Sequence, residues 1–310
     1  MSRAPQLVIR DHGLSVFRRR GLMPALLRRS HRHDGNGPLN EALWCGDVER
    51  LLPAAVHGLS NHVSLVELHV SEVVWLREQL GNSGAQLLAD VSAYVDSVDD
   101  VAVVPPEVRH VTFAAQWDPV FIAVAEPRSN VDAMQHRSDC ILDACAEAGL
   151  SANALLLGSV SSPFRKEPDM VGAADEALRL VRGGCSIVTV DDTMAAHDTR
   201  AMDVVLKTAI ANGLNASQEL AVAMRPGPAL GALVDRIMGL GVRQFCTATV
   251  ASQSDFCAPL LSSDKLLYAA SKHLGGVDDA ALEELNRVGD AAGALARKCS
   301  SSQKANRGLK

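Results

Sequence analysis

The amino-acid sequence predicts an α/β protein built as a single (β/α)8 TIM barrel, and two observations support this fold class. From about residue 60 onward, short apolar runs alternate with segments of helical periodicity, which is typical of repeated βα units and a parallel sheet. Together with Leu7–Arg10 near the N-terminus, eight such runs are present, and eight strands are what a closed barrel requires. Because 310 residues also suit one barrel, we expect a single domain over residues 1–310.

Each predicted strand is rich in valine, leucine or isoleucine, as expected for strands that are buried on both faces. The eight predicted strands are, in chain order, Leu7–Arg10, Leu65–Val70, Val101–Val104, Val120–Ala125, Ala154–Gly158, Ser186–Val190, Leu220–Met224 and Arg243–Thr247. Amphipathic helices that end at or near a glycine are predicted at Asp132–Ala148, Ala173–Arg182, Asp198–Ala211 and Pro228–Met238. A further helix is predicted over Asp278–Leu295, and the polar tail 300–310 is expected to be frayed.

The charge of the chain is unevenly distributed. Residues 1–33 contain eight arginines and one acid, so they carry +7, whereas the whole chain carries −6 and the remainder therefore −13. Most of these arginines fall in residues 15–43, a stretch too long for a simple connection after the first strand. We therefore predict an Arg-rich insertion over 15–43, whose arginines could bind the phosphates of a CoA thioester, dock on an acidic partner, or form a solvated helix face.

Composition excludes several classes of protein. No apolar run approaches the 18 residues of a membrane-spanning helix, and the net charge gives no general reason to bind nucleic acid. The seven cysteines include no CxxC pair, which argues against a structural zinc cluster and against a disulfide framework. We expect a reduced, cytoplasmic protein, with the mitochondrial matrix as the alternative because the N-terminus is rich in arginine and poor in acids.

Charged and polar residues follow the predicted strands, at the end of the barrel where active sites of this architecture lie. Arg10 and Asp11 end the first strand, Glu67 and His69 share one side of the second, and Asp192 with Thr193 follow the sixth. Several carboxylates and arginines at one mouth suit an anionic carbonyl substrate or a metal. A salt-bridge network that closes the barrel explains the same pattern equally well.

Five segments carry a resemblance to a known family. They are IRDHGL at 9–14, VELHVS at 66–71, ILDACAEAGLS at 141–151, GGCSIVTVDDT at 183–193 and SSDKLLY at 262–268. In order and spacing they resemble the 3-hydroxy-3-methylglutaryl-CoA (HMG-CoA) lyases, which belong to the DRE-TIM metallolyases. The resemblance spans nearly the whole chain outside the insertion, and it implies a barrel that cleaves a carbon–carbon bond.

In that family a divalent cation, Mg or Mn, is expected to polarise the substrate. The resemblance implies a metal held by an aspartate after the first strand, an HxH pair on the seventh strand and an asparagine after the eighth. It also implies an arginine that stabilises the enolate and a cysteine on a Gly-rich loop that transfers a proton. Such retro-Claisen chemistry requires a Lewis acid and a cation where negative charge develops.

The match to this pattern is partial. Arg10, Asp11, Glu67 and Asp192 correspond to the family's polar site residues and are the predicted catalytic residues. At the HxH position the sequence has Ala223, Met224 and Arg225. The expected asparagine position falls near Leu260. Cys257 lies about two residues from the expected cysteine, but it has no flanking glycines. Asp11 is therefore the only retained metal ligand, and we expect no bound cofactor. We hypothesise that Arg225 replaces the cation and pairs with Asp11 or Glu67.

Two functions follow. The first is a divergent carbon–carbon lyase or aldolase that acts on an acyl-CoA or related hydroxy acid, with its HxH metal site lost. In it, Arg10 stabilises the enolate, Asp11 and Glu67 orient the substrate, and Asp192 assists proton transfer. The predicted substrate-binding residues are His69, Thr193, Arg225, Arg18 and Arg19. The second is a catalytically inactive relative that binds a ligand or a protein partner, and a homodimer is compatible with both.

Overall fold

The structure is a computed structural model that describes residues 7–11, 63–81, 85–162, 167–192, 199–248, 261–274, 279–280 and 282–287. Eight parallel strands close into a barrel in chain order. They are Val8–Asp11 (β1), Leu65–His69 (β2), Val91–Tyr94 (β3), His110–Ala115 (β4), Ser151–Ser161 (β5), Ile187–Asp192 (β6), Leu220–Ala223 (β7) and Gln244–Thr247 (β8). The predicted (β/α)8 fold class is confirmed.

Helices follow the strands and surround the barrel. Within the described ranges they are Val70–Leu80 (α1), Ala85–Ala89 (α2), Val98–Ala102 (α3), Pro119–Ala125 (α4), Val131–Glu147 (α5), Met170–Arg182 (α6), Thr199–Ala211 (α7), Leu230–Gly239 (α8) and Ser263–Leu274 (α9). The four helices predicted between residues 132 and 238 correspond to α5 to α8. The helix α8 includes Gly239, which was predicted to follow it, and the left-handed glycine after α8 is Gly241 with φ +96°.

Two predicted strands are wrong, because both segments form helices. The first, Val101–Val104, forms the end of α3 and the turn after it, and Ser97 caps this helix by accepting a hydrogen bond from the N–H of Asp100 at 3.3 Å. The second, Val120–Ala125, lies in α4, where Asp118 is the N-cap and Pro119 the first helical residue. A short apolar run has no periodicity that separates a strand from a buried helix, so the caps are the more informative signal.

The two strands that the prediction missed lie before these helices. β3 and β4 precede α3 and α4, and Gln116, Trp117 and Asp118 follow β4 directly. Glu126 and Arg128 follow the predicted strand Val120–Ala125 in the sequence, and in the structure they come after α4. The insertion 15–43 and the tail 300–310 lie outside the described residues. Of the predicted helix Asp278–Leu295, the described residues 279–280 and 282–287 are helical.

The main hydrophobic core lies between the barrel and its helices. Alternate strand residues such as Val66, Phe113, Val188 and Phe245 are at most 1% exposed and pack with the apolar faces of the helices. The residues between them point into the barrel, since side chains alternate along a strand. Hydroxyl Oγ1 of Thr189 on β6 lies 3.6 Å from Sγ of Cys246 on β8. β7 separates these two strands, so this contact crosses the barrel interior.

A chain of polar side chains lines the middle of the interior, and we call it the polar belt. The hydroxyl groups of Ser92 and Thr112 lie 3.0 Å apart, and Nδ2 of Asn153 donates to Thr112 Oγ1 at 3.3 Å. Thr189 Oγ1 in turn donates to Asn153 Oδ1 at 3.1 Å and meets Cys246. The belt therefore satisfies buried polar groups inside the barrel, where an unpaired group would be costly.

Candidate functional site

A buried ion pair joins the ends of β6 and β7 at the C-terminal edge of the barrel. Nη2 of Arg225 lies 2.6 Å from Oδ1 of Asp191, and the side chains are 7% and 2% exposed. Asp191 is in register with Ala223, so Arg225, two residues further along, emerges on the same side. In such a low-dielectric setting, removing one partner of a buried pair costs about 3–5 kcal/mol, because the other charge is left uncompensated.

The aspartate that pairs with Arg225 was not predicted from the sequence. We expected Arg225 to bind Asp11 or Glu67, whereas the structure pairs it with Asp191, the residue before the predicted Asp192. The alternation of side chains along a strand could have indicated this partner. Asp191 lies two residues after Thr189, whose hydroxyl faces the interior, so the side chain of Asp191 points inward as well.

Asp192 is held by a serine of the neighbouring strand. The hydroxyl of Ser161 donates a short hydrogen bond to Asp192 Oδ1, and both side chains are buried. The hydroxyl of Ser159 accepts the N–H of Asp191 at 2.8 Å and donates to its carbonyl at 3.2 Å. Two serines of β5 thus fix the position of both aspartates at the end of β6.

Asp11 takes part in a hydrogen-bonded contact between β1, β8 and α9. Ser263 Oγ donates to Asp11 Oδ2 at 2.7 Å and lies 2.7 Å from Oγ1 of Thr247. All three side chains are fully buried, and Ser263 is the first residue of α9. The only metal ligand that the sequence retained is therefore bound to a helix N-terminus, where a negative charge is stabilised by the helix dipole.

Arg10 and Glu67 are both buried in the barrel. Arg10 is 4% exposed and in register with Cys246 of the polar belt, and Glu67 is in register with Ser92. Burial lowers the pKa of Arg10, while the neighbouring Cys246 and Glu67 oppose this shift. Burial lowers the pKa of His110, the first residue of β4, and the charge of Arg10 lowers it further.

The guanidinium of Arg10 is incompletely paired. Among the described residues its Nε has no hydrogen-bond partner, although a buried N–H group normally has one. The structure thus brings Arg10 and Glu67 together inside the barrel, and Asp191 and Arg225 at the edge. Their predicted catalytic and binding roles stay predictions.

His69 forms the N-cap of α1. Its Nδ1 accepts the N–H of Ser71 at 3.2 Å, while Glu72 accepts the N–H of His69 at 2.7 Å. Nε2 lies 3.7 Å from Oδ2 of Asp96. Burial lowers the pKa of His69, but Asp96, Glu72 and Asp100 together outweigh it and the net pKa is raised. Both ring nitrogens therefore already have partners within the protein.

The remaining predicted residues lie outside the described part of the chain. These are Thr193, Arg18 and Arg19, together with Leu260 and Cys257 at the expected asparagine and cysteine positions. Of the buried thiols within it, burial raises the pKa of Cys145 to about 11 and that of Cys185 to about 12. These two thiols are therefore protonated at neutral pH and are poor nucleophiles.

The described donor groups do not fit the divalent cation that the family resemblance implies. Ala223 offers no ligand atom, Arg225 brings a positive charge, and Asp11 is bound to Ser263. Within the described ranges there is no group of three or more His, Cys, Asp or Glu side chains that could hold a metal ion. A Mg²⁺ or Mn²⁺ site needs several oxygen or nitrogen ligands in a fixed geometry, so we derive no chemistry through a metal at these residues.

Comparison with solved structures identifies the architecture. An HMG-CoA lyase from Brucella melitensis matches with a TM-score of 0.69 at 16% identity, over 95% of this chain and 100% of that chain. The chain has the fold of the HMG-CoA lyases. An HMG-CoA lyase from Acinetobacter baumannii, in complex with coenzyme A and 3-methylmalate, has a TM-score of 0.66 at 11% identity, covering 96% and 93% of the two chains.

The same fold extends to a carboxyltransferase. The carboxyl transferase domain of Rhizobium etli pyruvate carboxylase matches with a TM-score of 0.57 at 14% identity, over 94% of this chain and 48% of that one. No protein-family model matches the chain, and no curated protein sequence does. In the described ranges, none of the helices is both long and apolar enough to cross a membrane. The fold that the resemblance implied is thus confirmed.

Proposed function

We propose that this chain is a carbon–carbon lyase or aldolase of the HMG-CoA lyase type that acts on an acyl-CoA or related hydroxy acid without a divalent cation. The observation that carries the proposal is the buried Arg225–Asp191 pair at the C-terminal edge of the barrel. It places a fixed positive charge at the position where the resemblance implies a metal ligand. The HMG-CoA lyase fold over 95% of the chain supports the reaction class.

The chemistry follows from the groups present. A base removes the proton of the β-hydroxyl group, its electrons form the C=O bond of the released product, and the Cα–Cβ bond breaks. The bonding pair passes to the thioester enolate, which is then protonated on carbon. Arg225 would stabilise the developing negative charge, with Asp191 fixing its position. Asp192, held by Ser161, is the proposed proton acceptor, and the buried Arg10 and Glu67 would contribute to the electrostatic field at the substrate.

The test is cleavage of HMG-CoA and other β-hydroxyacyl-CoA thioesters by the full chain, with products measured by mass spectrometry in the presence of EDTA. We expect cleavage that the chelator does not affect, and a loss of about 10²–10³-fold in Arg225→Met. Because that variant leaves Asp191 unpaired, Arg225→Met with Asp191→Asn removes both charges and is checked by circular dichroism. Arg236→Met, which breaks a surface pair with Asp203, is the matched control. Cleavage that EDTA abolishes would overturn the proposal.

The second candidate is an inactive relative that binds a CoA ligand or a partner. It is favoured by the engagement of Asp11 with Ser263, which diverts a family site residue to the packing of α9. In this case CoA thioesters bind but none is cleaved. Arg18 and Arg19 would bind the CoA phosphates or an acidic partner, which includes a second copy of the chain. Replacing both with alanine would then weaken binding, and unchanged affinity would contradict that role.

A further inference from the structure

The imidazole of His69 contacts two neighbouring segments at the C-terminal edge of the barrel. His69 is the last residue of β2 and the N-cap of α1. Its Nδ1 accepts the N–H of Ser71 at 3.2 Å and lies 2.9 Å from the hydroxyl Oγ of the same serine. Its Nε2 lies 3.7 Å from Oδ2 of Asp96, which follows β3. One ring therefore joins the first turn of α1 to the segment after β3.

The hydrogen bond from Ser71 identifies the protonation state of the ring. A ring nitrogen accepts a hydrogen bond only when it carries no proton, so this geometry belongs to the neutral imidazole with its proton on Nε2. Protonation converts Nδ1 from an acceptor into a donor. The N–H of Ser71 then loses its acceptor, whereas the Ser71 hydroxyl accepts the new N–H of Nδ1. The ring keeps a partner, but α1 loses half of its cap.

Carboxylates from three segments favour the protonated ring. Asp96 faces Nε2, Glu72 of α1 accepts the backbone N–H of His69 at 2.7 Å, and Asp100 of α3 accepts the N–H of Asp96 at 2.8 Å. Burial lowers the pKa of His69, but these three acids outweigh it and the net pKa is raised. Protonation therefore gains an ion pair with Asp96 at the same time as it removes the cap.

Other polar and charged side chains complete the surroundings of the ring among the described residues. Glu67, which is buried, lies two positions earlier on the same side of β2. The ring of Tyr94 from β3 lies 6.2 Å from the imidazole, measured between ring centroids. Arg137 of α5 directs its positive charge at the backbone carbonyl of Asp96, to which its Nε donates at 3.1 Å. This bond holds Asp96 beside the ring in both protonation states.

We propose that His69 is a pH-sensitive cap of α1, whose protonated ring releases the N–H of Ser71 and pairs with Asp96 instead. Because Ser71 lies at the surface, water replaces the lost acceptor and the first turn of α1 loosens without unfolding of the barrel. The bond from the N–H of His69 to Glu72 does not involve the imidazole, so the turn stays attached there. This switch does not depend on the proposed reaction.

An NMR titration of the full chain between about pH 5 and pH 8 tests the proposal, because an ordinary histidine titrates in this range and ordinary carboxylates stay ionised. The backbone amide of Ser71 and the imidazole of His69 are followed together. As the pH falls, we expect the Ser71 amide proton to shift upfield with the same midpoint as the imidazole. Its protection from hydrogen exchange, corrected for the intrinsic pH dependence of exchange, should fall about fivefold, as expected for the loss of a helix cap.

His69→Asn is the matched variant, because asparagine caps a helix but does not titrate in this range, and it should make the Ser71 amide independent of pH. Asp96→Asn should lower both midpoints together. His273→Asn, which removes a pair with Asp235 between α9 and α8, should leave the Ser71 titration unchanged. A Ser71 amide that does not titrate, a midpoint that differs from that of the imidazole, or an unchanged titration in His69→Asn overturns the proposal. If that variant does not fold, the two midpoints in the unmodified protein still decide.

Discussion

At the residue scale, two adjacent aspartates at the end of β6 have different partners because of strand geometry. Asp191 points inward and pairs with Arg225, while Asp192 accepts a hydrogen bond from Ser161 of the neighbouring strand. Side chains alternate along a strand, so an offset of one residue decides which aspartate meets Arg225. The family resemblance implied a role for Asp192. The structure shows that its neighbour Asp191 is the aspartate that pairs with Arg225.

The pKa of His69 is also set by the side chains around it. Burial lowers the pKa of His69, and Asp96 together with Glu72 and Asp100 outweighs this effect, so we expect Asp96→Asn to lower the pKa of His69. The measurement is an NMR titration of the imidazole. Asp99→Asn, which removes a neighbouring carboxylate with no contribution to that pKa, is the control. An unchanged His69 pKa in Asp96→Asn would contradict the assignment.

The raised pKa also sets the sign of a stability effect. Since the folded-state pKa of His69 lies above the unfolded value of about 6.5, protonation favours the folded state. This stabilisation is complete below the unfolded pKa and is lost as pH rises through the folded pKa. The difference in unfolding free energy between the unmodified protein and Asp96→Asn should accordingly be larger at acidic pH than at alkaline pH.

At the element scale, an irregularity in β5 positions the serines that bind β6. In the pairing with β6, Leu156 opposes Val190 and Ser161 opposes Asp192, so β5 contains three more residues than its partner over this stretch. Gly158 lies in the bulge with φ +69°, a left-handed conformation that side chains disfavour. The bulge brings the hydroxyl groups of Ser159 and Ser161 to the two aspartates.

Two glycine substitutions test this account. Gly158→Ala should lower the free energy of unfolding by about 1–2 kcal/mol, because the backbone there is left-handed although the space suffices. Gly231→Ala, at an open position in α8, should raise it by about 0.5–1 kcal/mol. Urea denaturation followed by circular dichroism measures both. Equal effects of the two substitutions would show that the conformation of Gly158 carries no strain.

At the scale of the whole molecule, the barrel closes through pairing between its first and last strands. Val8 to Asp11 of β1 are in register with Gln244 to Thr247 of β8, and the Asp11–Ser263–Thr247 contact ties α9 to both. Without β8, β1 and β7 would each present an open edge, which favours aggregation. Closure of the barrel therefore depends on pairing between residues that are more than 230 positions apart in the sequence.

Truncation tests the contribution of closure. A chain that ends at Gly239 lacks β8 and α9 and should lose its cooperative thermal transition and aggregate, as judged by calorimetry and size-exclusion chromatography. A chain that ends at Cys299 lacks only the tail 300–310 and should keep the Tm of the full chain. A cooperative transition in the shorter chain would mean that the first seven strands are stable without closure.

The sequence alone determined the fold class and most of its elements, because hydrophobic periodicity and helix-ending glycines are local signals. It identified six of the eight strands and misassigned two, since apolar runs such as Val120–Ala125 suit a buried helix as well as a strand. It also identified four charged residues, Arg10, Asp11, Glu67 and Arg225, as candidate site residues.

Only the tertiary structure decided which of these charges meet. Arg225 pairs with Asp191, Asp11 with Ser263, and Arg10 is buried in the interior in register with Cys246. These contacts join residues up to 252 positions apart. They depend on strand register and side-chain direction in the closed barrel, which residue type and local spacing do not encode.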